Sequence, residues 1–184
     1  MSDLRTPLTA WHEAHGAKMA PFAGWLMPIQ YEGIIVEHQH TRQHAGLFDI
    51  CHMGEFLIEG PGADEALSKA VSHNLQTLAP GKCRYGFLLN DKGGVLDDGI
   101  IYRFGPDSFM AVVNAACAAN DFAVLRARLP QSVKMTDISA ETGKIDLQGP
   151  ESLDVLEKLL GQNFHDLGYF CFRETTWQGS PLLV

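Results

Sequence analysis

The chain is 184 residues long, 46% hydrophobic and 20% charged, the make-up of an ordinary globular protein with room for one or two domains and a real core. A net charge of −8 argues against non-specific nucleic-acid binding, and no apolar run approaches the roughly 20 residues of a membrane-spanning helix. The opening stretch (MSDLRTPLTAWHEAHG) has neither an apolar signal core nor the Arg-rich, acid-poor character of a transit peptide, so a cytoplasmic location is expected.

Thr6 and Pro7 mark a helix start, threonine as cap and proline at the first turn, with Gly16 as the stop. The next stretch, MAPFAGWLMP (19–28), is apolar and shows no period; it is expected to be a loop over the core or a pocket wall. Residues 33–45 read as a helix carrying His38, His40 and His44. His40 and His44 share a face, but no HExxH motif or acidic ligand set accompanies them, so a solvated polar face is expected rather than a metal site.

Residues 47–50 lead into Cys51-His52-Met53-Gly54-Glu55, and 56–59 continue as a strand closed by Gly60-Pro61-Gly62. His52 has the setting of either an acid–base group or a hydrogen-bonded structural residue. A short helix is expected at 63–71. A strand at 84–89, a turn at 90–94, a returning strand at 95–104 and a third at 109–113 make a meander. Asn114 is placed to cap the helix of about 118–129, and its amide is equally suited to reading a ligand. Shorter strands follow at 133–137 and 144–147. An amphipathic helix at 152–160 has Leu153, Leu156, Leu159 and Leu160 on one side. Residues 170–177 form a strand, and 182–184 begin one more that has no evident partner, which suggests a piece of a longer chain. The four cysteines, Cys51, Cys83, Cys117 and Cys171, form no CxxC pair and read as reduced, structural thiols. The order of elements is α+β rather than alternating βαβ. No GxGxxG, P-loop or GxSxG motif occurs.

The stretch GGVLDDGIIY (93–102) breaks the pattern of its own strand. Asp97 and Asp98 sit side by side between Val95, Leu96, Ile100 and Ile101, although aspartate is a poor strand former and is rarely buried alone. Such local rule-breaking concentrates at functional sites. Neighbouring strand side chains point to opposite faces, so one carboxylate faces solvent or a turn and the other an apolar interior or cleft.

The blocks MAPFAGWLMP (19–28), AGLFDICHMGE (45–55), GGVLDDGIIY (93–102), VVNA (112–115) and the weaker LQGP (147–150) resemble the aminomethyltransferase, or T-protein, of the glycine cleavage system. They fall in family order at family-like intervals across nearly the whole chain. The resemblance implies the folate-binding T-protein fold, three domains in a cloverleaf, here incomplete with its third domain absent. A discontinuous first domain of 1–53 with 140–184 and a second of 54–139 are expected. The family moves a methylene unit from the aminomethyl-lipoyl arm of the H-protein to tetrahydrofolate and releases ammonia. Tetrahydrofolate as co-substrate, the lipoyl group and the lipoylated H-protein as partner are therefore implied; no metal, nucleic acid or membrane is. Residue by residue, Asp98 matches the functional aspartate, Asn114 an amide that hydrogen-bonds the pterin, Tyr85 an aromatic of the folate channel and Met53 an apolar wall. Asp97 is the lesser candidate. The sequence departs from the family at Gly99, where a bulkier apolar residue is common, and at Lys144-Ile145-Asp146.

Two other readings share the fold. A non-catalytic folate-binding module related to iron–sulfur cluster assembly factors would carry a KGCYxGQE-type motif, which does not occur. The folate domain of a dimethylglycine or sarcosine dehydrogenase would be fused to a flavin domain, which family-like spacing from Met1 onward disfavours. A plain α+β domain whose aspartates merely cap a turn leaves the blocks unexplained.

Overall fold

The computed structural model describes residues 3–184. Contacts divide it into two compact units: the described residues up to His52 with Gly143–Asp166, and Met53–Thr142 with Leu167–Val184.

In the first unit, strand β1 (Leu4–Arg5), helix α1 (Thr9–Ala14), strands β2 (Lys18–Phe22) and β3 (Trp25–Gln30), helix α2 (Ile34–Gln43) and strand β4 (Gly46–Asp49) precede strand β10 (Ile145–Gln148) and helix α5 (Ser152–Leu160). The segment expected to be an irregular loop is an antiparallel hairpin: β2 and β3 pair from Lys18↔Gln30 to Phe22↔Trp25, and β1 adds in parallel to β3. Its two-residue turn, Ala23-Gly24, has φ of +51° and +84°, the primed geometry that matches strand twist. Alanine there, with Pro21 and Pro28 in the strands, hid the hairpin signal.

Thr6 does not cap α1; its hydroxyl donates to Asp49 at 2.6 Å. His12 Nε2 lies 3.0 Å from the same Asp49 oxygen, and the other ring nitrogen meets the Tyr31 hydroxyl at 2.5 Å. α2 begins where the Glu37 carboxylate accepts the backbone N–H groups of Tyr31, Glu32 and Gly33 at 2.7, 2.9 and 2.9 Å, a side-chain substitute for missing helical partners.

The second unit contains strand β5 (Gly54–Glu59), helix α3 (Ala63–Ala70), strands β6 (Lys82–Leu89), β7 (Val95–Gly105) and β8 (Ser108–Val113), helix α4 (Ala118–Arg128) and strand β9 (Lys134–Asp137), closed by strands β11 (Glu174–Trp177) and β12 (Ser180–Leu183). The sheet is antiparallel in the order β6-β7-β8-β5-β9. Its inner face carries Phe56, Ile58, Ile101, Phe109, Ala111, Val113 and Met135, all buried against Ala63 and Leu67 of α3 and Leu125 of α4. Alternation along each strand puts these on one side, and α3 and α4 supply the apolar stripes that cover them.

The closing stub has a partner after all. β12 pairs antiparallel with β11, from Glu174↔Leu183 to Trp177↔Ser180, around Gln178-Gly179 at φ +51° and +82°. The segment before β11 runs along the edge of β6. Cys83 N donates to Phe170 O and Phe172 N to Gly81 O, each at 2.9 Å. The Phe172 ring packs on Tyr102 and Phe104 at 5.4 and 4.9 Å. By these contacts 167–184 groups with the meander, whereas the sequence reading drew it with the first segment. A non-local edge pairing leaves no local pattern to read.

Candidate functional site

Strand register assembles the expected site residues. Asp98 pairs with Phe87 of β6, Gly99 pairs with Val113 of β8, and Val113 pairs with Gly54 of β5. One step along, Asn114 follows Val113 and Met53 precedes Gly54. Phe87 and Asp98, on the face opposite the core, thus lie in register with Asn114 and Met53, which stand just beyond the ends of β8 and β5. The adjoining row on that face pairs Tyr85 with Ile100 and Ile100 with Val112.

The paired aspartates divide as alternation requires. Asp97 faces the interior and is only 8% exposed; Asp98 is half-buried on the outer face. Tyr85 is 49% exposed. Its phenol is raised above the ordinary tyrosine value by desolvation, then by the Asp98 charge and a hydrogen bond that it donates to Asp98.

Asn114 ties both aspartates together and does not cap α4, whose cap position is Cys117, with no side-chain hydrogen bond. Its backbone N–H donates to Asp97 Oδ2 at 3.1 Å. Its side-chain Nδ2 reaches Asp97 Oδ1 at 3.0 Å, and Asp98 Oδ1 and the Asp98 carbonyl at 3.2 Å each. Three acceptors around one group identify it as the NH₂ end of the amide. The carbonyl end takes no part in these bonds and is left to accept from outside.

A third acid completes the interior side. Asp121 of α4 is fully buried, and by hydrogen-bond geometry neither of its oxygens meets a donor among the described residues. Desolvation, then a hydrogen bond with Asp97 and the Asp97 charge, push its carboxyl up to about 7; Asn120 pulls weakly the other way. Asp97 moves in the opposite direction. Burial opposes its ionisation, but hydrogen bonds from the Asn114 side chain, Asp121 and the backbone N–H groups of Asn114 and Asp98 outweigh burial and lower it. The Cys117 thiol is raised by desolvation, then by the Asp97 charge and a hydrogen bond to it, so it is a thiol near neutrality and not a nucleophile. The sequence reading missed Asp121. The signal was its place on the apolar stripe of α4, one turn before buried Leu125.

Between Asp97, Asp121, His73 and Leu125 lies a cavity of about 20 Å³, room for about one water and far below the roughly 300–1,000 Å³ of a small-molecule pocket. His73 closes it. Its Nε2 lies 3.2 Å from Gly99 O, and burial lowers it below the ordinary histidine value. On the open face, the Asp98 carboxylate adjoins the rings of Tyr85 and Phe87, which meet edge-on with centroids 5.5 Å apart.

The remaining candidates stand in the first unit. His52 packs edge-on against Phe22, with ring centroids 5.6 Å apart, and is lowered mainly by burial. Its Nδ1 is buried without a hydrogen-bond partner among the described residues. His40 and His44 stack at 5.0 Å, and His44 Nδ1 sits 3.2 Å from Glu151. Among the described residues no group of three His, Cys, Asp or Glu side chains is placed to hold a metal ion. No described helix is long and apolar enough to cross a membrane.

A family model described as the GCVT N-terminal domain matches residues 8–184. An aminomethyltransferase of Chlorobaculum tepidum is 41% identical over 183 residues, covering 98% of this chain and 50% of that protein. One from Halothermothrix orenii is 39% identical over 180 residues, with the same coverage of 98% and 50%. The crystal structure of glycine cleavage system aminomethyltransferase T from Bartonella henselae superposes with a TM-score of 0.88 at 41% identity, over 94% of this chain and 47% of that one. A heterotetrameric sarcosine oxidase from Corynebacterium sp. U-96, at 19% identity and a TM-score of 0.56 over 76% of this chain and 68% of that one, shares the fold. The chain spans about half the length of the curated relatives it matches.

Proposed function

Because this chain belongs to the GCVT N-terminal domain family, we propose that it forms the N-terminal half of a tetrahydrofolate-dependent aminomethyltransferase of glycine cleavage. In this reading the protein takes the aminomethyl group from the lipoyl arm of the H-protein in the cytoplasm. The carbon passes to tetrahydrofolate, giving 5,10-methylenetetrahydrofolate; the nitrogen leaves as ammonia, and the lipoyl group is left as the dithiol. Weak or no catalysis is expected from the 184 residues alone.

The observation that carries the reading is the register of Asp98, Asn114 and Met53 with Tyr85 beside it. The residues fit a pterin: an aromatic and an apolar wall for its ring, and an outward amide carbonyl and a carboxylate for its N–H groups. Asp98 is the catalytic residue of this proposal. An ionised carboxylate held by Asn114 and Tyr85 stabilises positive charge that develops at the transferring carbon. Tetrahydrofolate supplies the nucleophilic nitrogens.

The test is ammonia release from aminomethylated H-protein by the whole protein, with and without tetrahydrofolate. Release that depends on the folate and is reduced by about 100-fold or more in Asp98→Ala is expected. An Asp98→Ala protein that keeps the full rate would remove Asp98 from the mechanism. Folate binding with no ammonia release would place the protein among non-catalytic folate-binding modules.

A further inference from the structure

We propose that the buried carboxyl pair Asp97–Asp121 shares one proton and acts as the positioning device of the outer face, locking the Asn114 amide so that its carbonyl points toward the ligand. The inference rests on the reading of Asp98 and Asn114 as the ligand face.

No described cation balances two carboxylates here. Asp97 and Asp98 come from β7, Asp121 from α4 and Cys117 from the turn before it, and all are acidic groups. His73, which lines the same cavity, is held neutral by burial. Arg84, whose charge acts on His73, spends its guanidinium on the Asn74 carbonyl and on Thr77. Two like charges in contact cannot both ionise, so one carboxyl keeps its proton. The hydrogen-bond inventory says which. Asp97 accepts the backbone and side-chain N–H groups of Asn114, and only its ionised form does so without conflict. Asp121 finds no donor within hydrogen-bonding geometry, and a protonated Asp121 becomes one, giving its O–H to Asp97.

The consequence reaches the ligand side. With Asp97 ionised, the NH₂ of Asn114 is drawn inward, and the opposite end of the amide is an acceptor. A ligand that donates an N–H there is bound; one that only accepts is not. When Asp121 loses its proton, Asp97 loses its O–H donor, and repulsion between the two carboxylates displaces Asp97 from the amide it holds, so the lock loosens. Affinity for such a ligand then falls as pH rises through about 7.

The experiment compares the whole protein that contains this chain with its Asp121→Asn and Asp121→Leu variants. Asparagine keeps a donor toward Asp97 but cannot titrate, whereas leucine offers none. Three signals are read across neutrality: the infrared C=O stretch of a buried protonated carboxyl, the ¹⁵N side-chain resonances of Asn114, and tetrahydrofolate binding by calorimetry. In the wild type the carboxyl band and the Asn114 shifts are expected to titrate together, with affinity falling up to about tenfold per pH unit above the transition. In Asp121→Asn the band is absent, the shifts are flat, and affinity stays at its low-pH value. In Asp121→Leu affinity is low at every pH. Asn114 shifts that titrate unchanged in Asp121→Asn, or a carboxyl band that survives it, overturn the pair. If Asp121→Asn does not fold, the wild-type band alone decides, because its absence below neutrality sinks the proposal. If folate does not bind at any pH, the function proposed above fails, while the infrared and ¹⁵N signals still judge the pair.

Discussion

Asn114 donates twice to Asp97, through its backbone nitrogen at 3.1 Å and its side-chain nitrogen at 3.0 Å. The bonds join the end of β8 to the middle of β7 on the buried side of the sheet. They also explain how a carboxylate can sit 8% exposed among apolar neighbours: its oxygens are satisfied by fixed donors rather than water.

Asn114→Ala is expected to destabilise the chain by about 1.5–3 kcal/mol, the worth of a hydrogen bond to a charged group. Urea unfolding would measure it. A loss below about 0.5 kcal/mol, the range of an ordinary surface substitution, would show that the bond is not a structural tie.

The acid pair predicts a stability profile. Asp121 has a folded value of about 7 against an ordinary 3.8, so the folded chain holds a proton that the unfolded chain has released. Stability therefore falls as pH rises between those values and levels off above the higher one. Thermal melts of Asp121→Asn should lack this decline. An identical slope in both proteins would assign it to another group.

Gly86 predicts a steric effect. A Cβ built there would stand 2.8 Å from the His73 ring. Gly86→Ala is expected to cost about 1–3 kcal/mol through overpacking and to free the His73 ring from Gly99. The imidazole resonances of His73 should then move toward an exposed histidine's titration. A variant as stable as the wild type, with those resonances unmoved, would show that the ring has room to shift.

Asp49 predicts an acid limit for the first unit. Burial opposes its ionisation, but hydrogen bonds from Thr6, Cys51 and His12 prevail, and its carboxyl lies below the ordinary 3.8. The stabilisation is complete above that value and is lost as pH falls through the lower folded one. Asp49→Asn should unfold more readily at neutral pH and show a shallower loss on acidification. A parallel loss in both proteins would exonerate Asp49.

The phenol of Tyr85 offers a check that needs no ligand. Removing the carboxylate in Asp98→Ala should bring its ultraviolet titration down toward the ordinary tyrosine value, because the Asp98 charge and hydrogen bond help hold it up. An unchanged titration would mean that the two groups do not communicate.

Local chemistry was enough for the periodic elements: the meander of β6, β7 and β8, the helices α2, α3 and α4, and the anomaly of two aspartates in an apolar strand all lay in residue order and type. The family blocks, each local, offered Met53, Asp98 and Asn114 as candidates, and the same resemblance offered Tyr85 from outside them. What failed did so for one physical reason. A polar side chain commits to the strongest donor or acceptor within reach, and reach is set by folding. Thr6 was spent on Asp49, 43 residues away, and Asn114 on Asp97 rather than on the helix it precedes. Asp121 acquired its role only when α4 was laid over β7. The sequence by itself determined that two carboxylates would lie on opposite faces of one strand, because the pleat alternates. Only the tertiary structure decided that the inner one would find an amide and a second acid waiting, because burial turns otherwise ordinary carboxyls into a pair that must share a proton.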